Sequence, residues 1–168
     1  GYTVRCLYRA SSDRSSLARL DIEWVLGDVS DPQSLTSAMQ GTDALINVAS
    51  LGFGHADSII SAAKSAGIQR TVFISTTAIF TQLNAGSKKV RVAAELAIET
   101  SRLKYTILRP TMIYGSPRDR NIWRLIRFMR FSPIVPIFGD GKYLQQPIYV
   151  DDVAQALVSC LSNDTTIG

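Results

Sequence analysis

Histidine occurs once, at His55, and cysteine twice, at Cys6 and Cys160. With no CxxC pair and no Cys/His cluster, the sequence argues against a zinc site and leaves the two thiols as reduced core residues. Long hydrophobic runs are missing too. None reaches the roughly 18 residues a membrane-crossing helix needs, and the first residues lack the basic-then-apolar pattern of a secretory signal. The expectation is a cytoplasmic protein with no transmembrane segment. The net charge is only +4, much of it between Arg118 and Arg130, so whole-chain charge gives no reason to expect nucleic acid as a partner. No fixed-period repeat or low-complexity linker interrupts the chain.

What is present fits one globular domain. The 168 residues are 46% apolar and 19% charged, with a mean hydropathy of +0.10, enough to bury a core. Tyr2, Val4, Cys6 and Tyr8 alternate with Thr3, Arg5, Leu7 and Arg9, a strand pattern, and Gly1 stands before it as a helix C-cap would. A Ser-rich loop (10–16) and a short strand, Ile22 to Leu26, follow, ending at Gly27-Asp28. Asp31-Pro32 opens a helix with the stripe Leu35, Ala38 and Met39, which Gly41 closes. Buried strands are expected at 44–49 and 71–75. Between them a glycine-rich loop, 51–55, leads into a helix with Ile59, Ala62, Ala63 and Ala66 on one side. Val90, Ala93, Ala94, Ala97 and Ser101 predict a small-residue helix stripe over about 87–101. Alternating strands and helices call for an α/β, doubly wound parallel sheet.

The stretch Tyr105 to Gly115, YTILRPTMIYG, is the landmark of the chain. An apolar run meets an Arg-Pro step, so a buried strand delivers a conformationally restricted loop, Thr111 to Ile113, to the sheet edge where α/β proteins bind ligands. After it come a basic amphipathic segment, 118–131, a Pro/Gly-containing stretch, 131–141, and a short strand at 148–150. Asp151-Asp152 should then cap a final helix striped by Val153, Leu157, Cys160 and Leu161.

The order GDVSDPQSL (27–35), ALINVAS (44–50), FISTTAIF (73–80), ILRPTMIYG (107–115) and YVDDVAQAL (149–157) resembles the extended and atypical short-chain dehydrogenase/reductases, the NAD-dependent epimerase/dehydratase group. The resemblance covers nearly the whole chain and implies one Rossmann-like domain, 1–168. It implies that Asp28 and Val29 lie against the adenine ring. It places Ala49 and Ser50 along the ribose and nicotinamide half, and Pro110, Thr111, Met112 and Ile113 against the nicotinamide carboxamide. Relatives that prefer NAD carry an acid after the strand that ends near Tyr8. Arg9 stands there instead and suits a 2′-phosphate, so the expected cofactor is NADP (or NAD).

Two departures from the family are legible. The strand and Gly-rich turn that hold the pyrophosphate in relatives have no counterpart ahead of Tyr2, so the expectation is a domain missing its first strand, part of a longer protein, with weak or no dinucleotide binding by this stretch alone. Gly52-Phe53-Gly54 is a poor replacement, because Asp57 stands at the third fingerprint position. In active relatives a Tyr, and a Lys four residues later, perform acid/base chemistry on the helix after FISTTAIF. Here the resemblance puts Ser87 and Arg91 in those places, or Asn84 and Lys88 on a second alignment, while Thr76 matches the Ser/Thr that holds the substrate oxygen. Lys88 and Lys89 also read as solvated helix residues.

Three functions follow. The first is a dinucleotide-binding regulatory or assembly component with a degraded catalytic dyad. The second is an NADP-dependent epimerase, dehydratase or reductase acting on a nucleotide sugar or related carbonyl substrate. The third is a protein-binding module, with a protein partner or a homo-oligomer. For the arginines of 118–131, a substrate-cleft border, an anionic membrane or partner surface, and a half-buried surface helix all remain open.

Overall fold

The computed structural model describes all residues except 83, 84, 117, 118, 120, 121, 135, 136, 138, 139 and 143. Seven strands and five α-helices run in the order β1 (Arg5–Tyr8), β2 (Glu23–Leu26), α1 (Pro32–Met39), β3 (Ala44–Asn47), α2 (Ala56–Ser65), β4 (Arg70–Ile74), α3 (Gly86–Glu99), β5 (Tyr105–Leu108), β6 (Ile113–Tyr114), α4 (Ile122–Met129), β7 (Ile148–Tyr149) and α5 (Val150–Leu161) among the described residues. Every strand pair is parallel, as the α/β alternation requires.

The central sheet β3-β4-β5 shows why the strands sit where they do. β4 is buried on both faces: Phe73 and Val72 are fully enclosed, and period-two alternation sends them to opposite sides. Phe73, with Leu45 and Ile107, meets a cluster from α1, α2 and α3 that includes Leu35, Ile59 and Ile98. Val72, with Ile46, Ile74 and Leu108, meets Val153, Leu157 and Cys160 of α5. Helices thus cover both faces, and each fully buried Phe or Ile contributes about 2–3 kcal/mol. The α5 stripe falls where its spacing predicted. So does α1, whose Asp31 Oδ1 accepts from the Gln33 amide at 3.0 Å and whose end turns at Gly41 with φ +69°.

The α/β parallel architecture is as expected, and among the described residues its strands are hydrogen-bonded in three parallel sheets, β1-β2, β3-β4-β5 and β6-β7. Three details differ from expectation. On α3, Val90 and Ala93 are exposed and the buried side is Ala94, Glu95 and Ile98, with Glu95 turned inward to meet Arg109, which follows directly after β5. The cap of α5 is Tyr149, which makes no side-chain cap bond. Asp151 and Asp152 stand in the first turn instead, where they favour the helix dipole. The stretch after Pro110 is only partly loop: Ile113–Tyr114 pairs with Ile148–Tyr149, and Gly115 follows at φ +122°, where a β carbon would lie 2.5 Å from Tyr149 Cε2.

No helix among the described residues is long and apolar enough to cross a membrane. No group of His, Cys, Asp or Glu among them could hold a metal.

Candidate functional site

The carboxyl ends of β1 and β2 enclose an open cleft of about 280 Å³, lined by Arg9, Ala10, Leu26, Gly27, Asp28, Asp31 and Ser34. Local hydrogen bonds build it. The Gly27 amide donates to Tyr8 O at 2.9 Å, which ties the two strand ends together, and Arg9 turns back through Ser12, whose Oγ accepts from the Arg9 amide at 3.1 Å. Ser34 Oγ accepts from the Asp28 amide at 3.0 Å and donates to the Asp28 and Asp31 carbonyls, so the first turn of α1 fixes the Gly27-Asp28 corner. Packing at the glycine is close: a β carbon at Gly27 would stand 2.7 Å from Leu7 Cδ1 and 3.1 Å from Ser34 Oγ, so a larger residue would have to displace both side chains.

Asp28 Oδ1 accepts from both the amide (2.8 Å) and the hydroxyl (2.7 Å) of Ser30. These bonds hold its carboxyl below the usual carboxylate range, with smaller contributions from the Arg9 guanidinium and the His55 imidazole. An ionised carboxylate and an arginine cation therefore share the cleft. Val29 turns the other way and packs against the α1–α3 core.

The remaining predicted residues lie at the carboxyl ends of β3, β4 and β5. Ala49 is half-buried; Ser50 is exposed and caps a 3-10 turn, Leu51–Phe53, its Oγ accepting from the Gly52 amide at 3.2 Å. Arg91 lies flat on that turn. A β carbon at Gly52 would be 3.1 Å from Arg91 Cζ, so the glycine makes room for the guanidinium. Arg91 Nη1 in turn donates to Ser87 Oγ at 2.7 Å, one helical turn back along α3. Thr76 caps a second 3-10 turn, Thr77–Phe80, its Oγ1 accepting from the Ala78 amide at 3.2 Å.

The β4 and β5 ends are joined where Thr77 N donates to Pro110 O at 3.2 Å. Thr111 Oγ1 donates to Gln146 O, and Met112 O accepts from Ile148 N at 3.0 Å. Ile113 packs toward α5. The structure thus joins Ser87, Arg91 and the Ser50 turn in one network, and Thr76 to Pro110 through adjacent residues. Lys88 Nζ reaches the Thr81 carbonyl at 2.5 Å, while Asn84 lies outside the described residues.

Sequence reasoning missed the element that fastens α3 to the landmark stretch. Arg109 Nε and Nη2 both donate to Glu95 Oε2, at 2.9 and 2.7 Å, immediately before Pro110. The Glu95 bond, first among several causes, raises the Arg109 pKa further above its ordinary value. It also missed Ser34 and Asp31 as cleft residues. The one available signal was that Ser34 falls in the first turn of a helix aimed at Gly27-Asp28.

Comparisons with known proteins bear on the family and the fold. The profile of an NAD(P)H-binding family matches residues 1–164. The chain is 30% identical to ceramide reductase of Caulobacter vibrioides over 95% of its own length and 53% of that protein. It is 26% identical to NADH dehydrogenase (ubiquinone) 1 alpha subcomplex subunit 9 of Rattus norvegicus over 88% of its length and 41% of that protein. The chain thus spans about half, or less, of these curated relatives. Among solved structures, dTDP-glucose 4,6-dehydratase from Streptomyces venezuelae, determined with NAD bound, superposes with a TM-score of 0.74 at 18% identity, over 96% of this chain and 63% of that one. That likeness carries the fold. With the family profile running almost end to end over a Rossmann-like architecture, the chain belongs to the NAD(P)H-binding family.

Proposed function

We propose that the full-length protein containing this chain holds NADP(H), with this stretch supplying the adenosine end of the site, and acts as a regulatory or assembly-type component without tyrosine-based hydride-transfer chemistry. The observation that carries this reading is the Ser87–Arg91 pair. On one of the two alignments the family resemblance allows, it occupies the i, i+4 positions on α3 assigned to Tyr and Lys, and the other, Asn84 and Lys88, supplies no tyrosine either. A guanidinium stays protonated at any physiological pH and cannot pass a proton. A serine hydroxyl has no ring to delocalise its charge, and among the described residues no histidine or carboxylate hydrogen-bonds Ser87. The sequence has no tyrosine between positions 77 and 104.

The residues present fit a dinucleotide at the adenosine end. The cleft of about 280 Å³ approaches the lower bound of small-molecule pockets, about 300 Å³, which suits one end of such a ligand. Arg9 would take the 2′-phosphate through its forked donors and Asp28 would border the adenine, whereas Val29, expected beside it, packs into the core instead. Ser50, Pro110, Thr111, Met112 and Ile113 would border the nicotinamide half. When bound, the dinucleotide supplies or accepts a hydride.

A second reading, an NADP-dependent reductase, epimerase or dehydratase on a nucleotide sugar or related carbonyl compound, is favoured by the 30% match to a protein named as a reductase. Thr76 would then hold the substrate oxygen. Its Oγ1 already accepts from Ala78 N, which leaves its own proton to donate.

The test is titration of the full-length protein with NADPH, followed by a search for oxidation of NADPH with nucleotide sugars, aldehydes and ketones. Micromolar binding without turnover is expected. Turnover that Ser87→Ala abolishes would refute the regulatory reading, and absence of NADPH binding at millimolar concentration would refute both.

A further inference from the structure

Five arginines and one aspartate stand between positions 118 and 130. That surplus equals the excess of 18 basic over 14 acidic residues in the whole chain, so everything outside the segment is neutral on balance. Within it, α4 begins beside Asp119, whose Oδ2 accepts from Trp123 N at 2.8 Å. Helical spacing sets Arg124 and Arg127 on one side and Ile122, Leu125, Ile126 and Met129 on the other, with Trp123 and Phe128 at the two flanks. Among the described residues none of these side chains joins either core cluster, and Ile122, Trp123 and Ile126 are half-buried. Leu125 and Met129 are each 43% exposed, Phe128 46% and, just beyond the helix, Phe131 84%. Arg124, Arg127 and Arg130 form no ion pair among the described residues.

From this we propose that α4 and Phe131 form a docking surface for an anionic lipid bilayer. A narrow cationic side, a broad apolar side and aromatic residues at the boundary match a helix lying in the interface plane. Its apolar side enters the headgroup–acyl boundary, and its guanidiniums meet lipid phosphates. A second copy of the chain is the poorer occupant, because a two-fold contact through the same patch brings the arginines of both copies together. The bilayer satisfies both sides at once: it takes the apolar area and supplies the missing negative charge. This surface is independent of the proposed dinucleotide site.

The experiment is co-sedimentation of the full-length protein with vesicles of phosphatidylcholine alone, or with about 30% phosphatidylserine, at about 0.1 M and 0.5 M salt. Binding is expected to be at least about tenfold tighter on the anionic vesicles and to weaken steeply at high salt. At about 1 kcal/mol per arginine, Arg124→Gln with Arg127→Gln should reduce it about thirtyfold. Phe128→Ser with Phe131→Ser should weaken it at least about tenfold through the apolar side while leaving NADPH affinity unchanged, which shows the variant is folded. Equal binding to both vesicle types, no vesicle binding at all, or undiminished binding by the Phe128→Ser/Phe131→Ser variant would each overturn the proposal. So would a dimer in solution that those substitutions dissociate.

Discussion

Replacing Arg109 by Leu should cost the fold considerably more than replacing its partner Glu95 by Leu. Both donors of Arg109 converge on Glu95 Oε2, at 2.9 and 2.7 Å. The two ends differ in exposure: the Glu95 side chain is 6% accessible and the Arg109 side chain 34%. Without Arg109, a carboxylate whose Oε1 already has no hydrogen-bond partner is left buried and uncompensated. Stripping one partner from a buried pair costs about 3–5 kcal/mol, and the partial exposure of Arg109 sets this case near the lower end, about 3 kcal/mol. Without Glu95, the guanidinium keeps solvent and Glu99 at 3.7 Å, and the orphaned Oε1 disappears, so the loss should be about 1 kcal/mol. The double replacement should be more stable than Arg109→Leu alone, a coupling of about 1–2 kcal/mol. Urea unfolding of the four proteins measures this, with melting shifts of about 2–4 °C per kcal/mol. Glu95→Leu proving the costlier change, or simple additivity in the double variant, would refute the reasoning.

Arg70→Met should destabilise by about 1–3 kcal/mol, because the buried guanidinium serves five acceptors, Cys160 O, Thr71 O, Lys104 O and the Thr106 and Thr166 hydroxyls, and methionine replaces none of these bonds, although Lys104 O keeps the Thr71 amide and the two hydroxyls keep their own donor bonds. Hydrogen exchange should speed up first at the C-terminal end of α5, and unchanged exchange there would contradict this assignment. The depressed pKa of Asp28 gives a signed pH dependence. Its ordering of the Ser30 turn is fully present above the ordinary carboxylate value and fades as pH falls through its lowered folded value. Protection of the Ser30 amide should follow that titration in the native protein and lose it in Asp28→Asn. Protection that rises on acidification would show the sign to be wrong.

The parts of this fold legible from sequence are those governed by neighbours. Asp31-Pro32 and Gly41 bracket α1 because a cap and a left-handed turn act over a few residues, and Val153, Leu157 and Cys160 share a face because helix spacing alone decides it. Glu95 was illegible for the opposite reason. A glutamate within a small-residue helix reads as solvated until a strand 14 residues later delivers Arg109 beside it. Arg70 likewise sits at the start of a strand, where a charge usually marks the surface, and its partners reach 96 positions away. The corner at Gly27-Asp28 was visible as a strand end, whereas its fixing by Ser34 depends on the packing of α1. The division into three sheets depends on which strands meet, and no local pattern reports that.

NADPH and NADH titrations of the full-length protein, run in parallel on the native sequence and on Arg9→Ser, test the cofactor assignment most directly. The cation at the mouth of the β1–β2 cleft predicts at least about tenfold preference for NADPH, erased when Arg9 is replaced. Equal affinity for the two dinucleotides, or a preference that survives Arg9→Ser, would contradict it.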